Sequence, residues 1–247
     1  MKLLSVVVPV LNEEKYLPLL LDSFANQSEK NFEVLVVDAK SEDKTVENAE
    51  KFKDRLDIRV IETERKNVAH QRNAGGKAAK GDYVVFMDAD YLVKKNFVES
   101  CFLEAEKSDA DLIIPFSYPI TSNILWKIYF TFQNILCVMS NLFGKPFGVA
   151  SGNLIKKESF LRMGGYNESV FVFEDQYFFQ VAKRHKLKIK YTNKIKMYFS
   201  LRRLEKDGII GYFYFNLYAA FYLIFKGPVF KKFYDYQMGG QAKVKEK

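Results

Sequence analysis

Along the first 115 residues, short runs that are apolar throughout alternate with stretches in which apolar residues recur every three or four positions. The runs at 3–10, 32–37, 58–61, 83–87 and 112–115 are rich in Val, Ile, Leu and Phe. Their continuous apolar character predicts strands buried on both faces. Between them, residues 14–25 place Leu17, Leu20, Leu21 and Phe24 on one helical face, and helices are expected over 45–52, 68–79 and 95–107. This alternation gives an α/β class with a mostly parallel central sheet flanked by helices. Ligands of such sheets bind at the carboxyl ends of the strands.

The regularity breaks after Pro115. Residues 122–143 form one strongly apolar stretch in which Asn123, Lys127, Thr131, Asn134 and Asn141 line a narrow polar stripe. Such a helix either packs into the core or lies at the surface, against lipid or lining an apolar acceptor groove. Residues 209–225 are 17 positions without a charge, among them Tyr212, Phe213, Tyr214, Phe215, Tyr218, Phe221, Tyr222 and Phe225. That is short of the roughly 20 residues needed to span a bilayer. With Lys226, Lys231 and Lys232 following, the pattern is that of an interfacial membrane anchor, with a protein interface such as a homo-oligomer contact as the alternative.

Composition narrows the chemistry. Cys101 and Cys137 are the only cysteines and His70 and His185 the only histidines among 247 residues. A disulfide scaffold, a four-cysteine zinc site and a multi-histidine centre are thereby excluded, and any metal must be held by oxygen. The formal charge of +8 is unevenly spread: residues 1–115 hold 17 basic and 22 acidic side chains, whereas residues 183–206 hold 10 and 1. A basic segment of that kind suits phosphates, nucleic acid or an anionic membrane. The opening apolar run is followed by acidic residues and no small-residue cleavage pattern, so a buried strand is expected there, and a cytoplasmic protein.

The most informative group is Asp88-Ala89-Asp90, where an apolar strand ends in two carboxylates one residue apart. Alternate residues of extended chain point the same way, so both can face one cleft and hold Mg²⁺ or Mn²⁺ together with substrate phosphates. A turn and helix cap is the plainer reading. Asp38 ends the second strand, while Ser41 and Asp43 are expected to cap the helix that follows. Arg72 is suited equally to a diphosphate and to pairing with Asp88. Glu174-Asp175 lies between Phe173 and Tyr177-Phe178-Phe179, an apolar setting that raises a carboxylate pKa and makes a better base. Acids at a helix N-terminus are the alternative there. Arg202-Arg203 can place fixed positive charge on a departing diphosphate. Gly152, Gly164 and Gly165 allow tight turns nearby.

Taken in order, Val7-Val8-Pro9-Val10-Leu11-Asn12-Glu13-Glu14, Val37-Asp38, Arg72-Asn73-Ala74-Gly75, Asp88-Ala89-Asp90, Gly152-Asn153, Gly164-Gly165-Tyr166-Asn167-Glu168, Glu174-Asp175 and Ser200-Leu201-Arg202-Arg203-Leu204 resemble a family 2 glycosyltransferase of the GT-A fold. The likeness covers roughly residues 3–206. It implies that Pro9, Asn12, Glu13, Asp38, Arg72, Asp88, Gly152, Glu174, Arg202 and Arg203 bind the nucleotide sugar. Asp88 would reach the ribose, Asp90 and Asp88 would hold Mn²⁺ or Mg²⁺, and Asp175 would be the catalytic base. It also implies inversion at the transferred sugar. Where many members carry a second Asp and a Gly after the first Asp, this chain has Ala39 and Lys40, so no nucleobase is assigned.

The resulting expectation is a catalytic domain over 1–206, with a nucleotide-binding half at 1–115 and an acceptor half at 116–206, and an aromatic, basic, helical appendage at 207–247. The partners expected are a nucleotide-diphosphate sugar, a lipid-linked or glycan acceptor and the cytoplasmic face of a membrane, rather than nucleic acid. A dehydrogenase is disfavoured because no G-x-G-x-x-G follows the first strand, and an ATPase because no P-loop occurs. The competing class is a non-catalytic module that binds nucleic acid or anionic lipid through residues 183–206.

Overall fold

The computed structural model describes residues 2–148, 151–170, 173–199 and 201. Within them an eight-stranded sheet has the order β3-β2-β1-β4-β7-β6-β8-β5. The parallel core is β1 (Leu4–Val10), β2 (Phe32–Asp38), β3 (Ile58–Glu62) and β4 (Tyr83–Phe86). β5 (Tyr91–Val93), β6 (Leu112–Pro119), β7 (Asn153–Lys156) and β8 (Ile189–Phe199) complete it, with β7 and β5 running against their neighbours. The helices are α1 (Leu17–Ala25), α2 (Thr45–Glu50), α3 (Val68–Ala78), α4 (Phe97–Lys107), α5 (Ile124–Leu142), α6 (Lys157–Arg162) and α7 (Glu174–Arg184).

Every residue of β1 and β2 is buried, and the two-residue period sorts them into two cores. Val6, Val8, Val34, Val36 and Val85 meet α1 and α4 on one face. Val7, Leu35, Val37, Val84 and Phe86 meet α3, α6 and α7 on the other. This is the three-layer arrangement that the apolar strands require.

Expected and observed elements differ at the edges. α1 starts at Leu17 rather than residue 14, and β4 ends at Phe86, one residue short of Met87. The 122–143 stretch is the 19-residue α5, which buries only Trp126, Phe130, Asn134 and Cys137. Asn134 is held because its amide matches both backbone groups of Ser117, accepting from the N–H at 3.3 Å and donating to the carbonyl at 3.1 Å. Much of the rest of α5 is apolar yet outside the core: Ile128 is 58% exposed and Phe132 51%. Residues 202–247, including Arg202, Arg203 and the expected appendage, lie outside the described residues.

α3 is a polar helix yet buries Gln71, Arg72, Asn73, Gly75 and Gly76. Gln71 Nε2 donates to the carbonyls of Val10 and Val37 at 2.8 and 2.7 Å, pinning α3 across the ends of β1 and β2. Gly75 permits that approach, since a Cβ there would come within 3.0 Å of Val7 Cγ1. Gly75→Ala is therefore expected to cost about 1–3 kcal/mol by overpacking, read from urea unfolding. In a Val7→Ala background the same substitution should cost less, the two sites being in contact. Equal cost in both backgrounds would contradict this packing.

Candidate active site

The chain leaves β4 through Met87-Asp88-Ala89-Asp90 and enters β5, at the carboxyl end of the parallel core. Two bonds from the turn before β7 clamp this loop: the Asp88 N–H donates to Ser151 Oγ at 2.8 Å, and the Gly152 N–H donates to the Phe86 carbonyl at 2.6 Å. Gly152 has φ +78°, and a Cβ there would collide with Met197 Sδ of β8, so glycine is required twice over. Asp88 and Asp90 are both half-buried.

Arg72 reaches this loop from α3. Its guanidinium donates to Asp88 Oδ1 at 3.0 Å and to Glu174 Oε1 at 2.9 Å, with its side chain only 3% exposed. It lies over the Tyr166 ring, 5.2 Å from the centroid, and Tyr166 stacks on Phe178 of α7 with centroids 4.1 Å apart. Burial alone would favour loss of the Arg72 proton, but Asp88 and Glu174 raise its pKa and hold it charged. Arg72 Nε and Tyr166 Oη are buried without a hydrogen-bond partner among the described residues. Of the two roles open to Arg72, the structure shows the carboxylate pairing.

Asn73, the next residue, ties the same helix to the second half of the chain. Its amide donates to the Tyr166 carbonyl at 2.9 Å and to Glu168 Oε1 at 3.0 Å, and its Oδ1 accepts the Tyr166 N–H at 2.8 Å. His70 Nδ1 lies 3.0 Å from Glu168 Oε2. Glu168 thus gathers α3 against the loop that leads to α7.

α7 opens with the two acids. Phe173 precedes them at φ +62°, a left-handed conformation uncommon for a bulky residue and of the kind stored at functional sites. Asp175 is buried, and burial pushes its carboxyl up to about 7; the Glu174 charge adds to the rise and Arg72 opposes it. Gln176 Nε2 donates to Asp175 Oδ2 at 3.1 Å and to the Gly148 carbonyl at 2.7 Å. The apolar setting read from the flanking aromatics therefore has the expected effect on this carboxylate.

At the ends of β1 and β2 a second group forms. The Ser41 N–H donates to Asp38 Oδ2 at 2.9 Å and the Ser41 hydroxyl to Asp38 Oδ1 at 2.5 Å. The Asn12 N–H donates to Ser41 Oγ at 2.9 Å, and the Glu13 N–H to Thr45 Oγ1 at 2.8 Å. Ser41 thus closes on Asp38 instead of capping α2, whereas Asp43 does accept the Thr45 N–H, at 2.9 Å. Pro9 sits one pair back in the sheet, opposite Val37, and is buried. Lys40 has φ +61°, so the backbone keeps the left-handed turn that a glycine takes freely.

The structure brings Arg72, Asp88 and Glu174 into direct contact, with Asp175 beside Glu174, and groups Asn12, Glu13 and Asp38 at the neighbouring strand ends. Ser151, Gln176 and the role of Asn73 were not foreseen. Only Asn73 carried a signal, its place next to Arg72. The basic segment is partly neutralised: Lys188 pairs with Asp109, and Lys190 with Glu104 at 3.1 Å. Lys194 and Lys196 line a separate cavity of about 430 Å³ with Lys94, Asn96 and Ser100, and none of the candidate residues borders it. Among the described residues no group of three His, Cys, Asp or Glu is placed to hold a metal ion together. Two neighbouring carboxylates nevertheless suit a hard ion that draws its other ligands from a diphosphate.

Residues 5–164 match the family described as Glycosyl transferase family 2. The chain is 37% identical over 115 residues to poly(ribitol-phosphate) β-N-acetylglucosaminyltransferase TarS of Staphylococcus aureus, covering 44% of the chain and 20% of TarS. It is 25% identical over 214 residues to the cholesterol galactosyltransferase of Borreliella burgdorferi, covering 76% and 57%. The chain thus spans only part of the length of these relatives. Among solved structures, TarS with UDP-GlcNAc superposes with a TM-score of 0.67 at 23% identity, over 81% of this chain and 58% of that one. The mannosyltransferase PcManGT of Pyrobaculum calidifontis, with GDP-Man and Mn²⁺, gives 0.65 at 22% identity, over 80% and 56%. These likenesses show the GT-A arrangement of the sheet and its flanking helices.

A buried carboxyl with a raised pKa has a signature in stability. The folded-state value of about 7 lies above the ordinary 3.8. Its favourable contribution is full below the ordinary value and is lost as pH rises through about 7. Asp175→Asn, which cannot ionise, should therefore melt several degrees above the wild type near pH 8 and close to it near pH 4. Identical melting temperatures near pH 8 would show that Asp175 is not held in a charge-excluding setting.

Proposed function

Because the chain belongs to glycosyl transferase family 2, we propose that it transfers a sugar, with inversion, from a nucleotide diphosphate to an acceptor hydroxyl. The observation that carries this reading is the joining of the Asp88 loop to the Glu174-Asp175 pair by one buried arginine. Asp175 acts as general base. Buried and raised to about 7, it can take the hydroxyl proton at neutral pH while the acceptor oxygen bonds to the anomeric carbon. The bond to the diphosphate breaks on the opposite face, and the diphosphate leaves with that electron pair.

Asn12, Glu13 and Asp38 hold the nucleoside at the strand ends, with Asp88 toward the ribose. Pro9 and Gly152 support that site through the backbone. Arg72 keeps Asp88 and Glu174 in register, and Arg202 and Arg203 are assigned to the diphosphate. Asp90, with Asp88, would hold Mn²⁺ or Mg²⁺, which supplies Lewis-acid stabilisation of the diphosphate leaving group. The Mn²⁺ in the PcManGT structure supports this use of the pair. Residues 1–206 are read as the catalytic domain. TarS is named for a poly(ribitol-phosphate) acceptor and the Borreliella burgdorferi relative for cholesterol, which supports a glycan or lipid-linked acceptor here. The partly paired lysines of residues 183–206 and the family membership leave the nucleic-acid reading without support.

Asp175→Asn should lower sugar transfer by about 10²–10⁴-fold, the usual worth of a general base, while nucleotide-sugar binding measured by thermal shift persists. Turnover equal to the wild type would remove Asp175 from this role. Chelation by EDTA should abolish transfer and added Mn²⁺ restore it, with Asp90→Ala insensitive to the addition. Full transfer in EDTA would refute the metal assignment.

A further inference from the structure

We propose that the outer face of α5 is a membrane-docking surface, which rests on the lipid leaflet that carries the acceptor. α5 contacts the domain through one narrow face, Trp126, Phe130, Asn134 and Cys137. The opposite arc holds Leu125, Ile128, Phe132, Ile135, Leu136 and Met139, each between 45% and 58% exposed. At the C-terminal end of the helix, Leu142 and Phe143 are 80% and 78% exposed. Spaced at one, three, four and seven positions, these side chains form a continuous strip along a helix about 28 Å long. Apolar strips of that extent on a protein surface mark an interaction site. A helix with one buried face and a second, outward apolar face has no reason to exist in water alone.

The charges around the strip select the occupant. α5 and the residues that follow it to 148 contain no Asp or Glu, and their charged residues are Lys127 and Lys145. Lys127 and Thr131 edge a shallow groove of about 350 Å³ whose apolar walls are Ile124, Ile128, Phe132 and Ile135. Apolar side chains with a cationic margin and no acid are what an anionic leaflet binds. A second copy packed face to face would bring these acid-free, lysine-edged strips together without a counter-charge. No helix among the described residues is long and apolar enough to cross a membrane, so α5 lies on the surface of the leaflet.

The side of α5 that faces away from the strip is joined to the candidate active site. Ser140 Oγ of α5 accepts the Phe147 N–H at 3.0 Å, and the adjacent Gly148 is bonded on both its backbone groups to Gln176, which itself donates to Asp175. On the inner face of α5, Cys137 is near enough to Asp175 for that carboxylate to raise its thiol pKa, added to the rise from burial. The helix that would sit on lipid therefore backs, on its inner side, the loop that holds Asp175 through Gln176, which would bring the domain to the leaflet that carries the acceptor. The role of the acceptor rests on the transferase reading, whereas docking itself does not.

The test uses the full chain and vesicles of phosphatidylcholine mixed with phosphatidylglycerol. The wild type should float with the vesicles. Ile128→Asp combined with Phe132→Asp, both more than half exposed, should lower the bound fraction at least about tenfold with circular dichroism unchanged. Phe132→Cys, labelled with an environment-sensitive fluorophore while native Cys101 and Cys137 stay buried, should shift to the blue on vesicle addition. Equal flotation of the double variant, no flotation of the wild type, or loss of a dimer in place of loss of lipid binding would each overturn the proposal. Nucleotide-sugar thermal shifts with Mn²⁺ are measured on the same samples. Vesicle binding without any nucleotide shift would sink the transferase reading and leave docking standing.

Discussion

A guanidinium shut away from water stays in place only if carboxylates meet it, and Arg72 meets two that lie far apart in the chain. Asp88 comes from the loop after β4, and Glu174 from the start of α7. Removing Arg72 would leave two partly buried carboxylates without their counter-charge, a cost of up to about 3–5 kcal/mol, so the three elements are held to one geometry. That geometry places Asp175, the neighbour of Glu174, in a buried position where its carboxyl titrates near neutrality. One ion triad thus joins the loop after β4 to α7, and with burial it biases the protonation of the proposed base.

The rest of the fold makes the triad possible. Two buried parallel strands give α3 a flat bed, and Gly75 lets it lie close enough for Gln71 to grip the ends of β1 and β2. Arg72 then projects over the strand ends. On the other side, Asn73 and Glu168 lock the loop that carries Tyr166, whose ring receives the guanidinium face and stacks on α7. Arg72, which fixes Glu174 beside Asp175, is therefore carried by a helix that the sheet and further hydrogen bonds hold in place.

The parallel core was legible in the sequence because strands buried on both faces read as unbroken apolar runs. β7 and β8 were not. β7 is four residues long and starts at Asn153. β8 intersperses lysines with apolar residues, so it read as a charge cluster, although Lys190 is paired with Glu104 of α4 and Lys188, just before the strand, with Asp109. Asp88, Asp175 and Arg72 were legible as chemistry, since acids at strand ends or among aromatics are unusual enough to stand out. The Arg72–Glu174 bond was not, because it joins residues that only the folded sheet brings together. Ser41 was misread as a helix cap because local spacing alone cannot show that its hydroxyl turns back to Asp38. α5 showed the opposite limit: its polar stripe was visible, but which apolar face the domain would bury was not.

The proposed base, Asp175, has its pKa set by burial beside a carboxylate and an arginine. Its most direct measurement is the pH dependence of kcat/KM for sugar transfer, which reports ionisations of the free enzyme. An acid limb centred near the value of about 7 given by Asp175 is the predicted result. A limb in the ordinary carboxylate range, with full activity retained near pH 5, would contradict it.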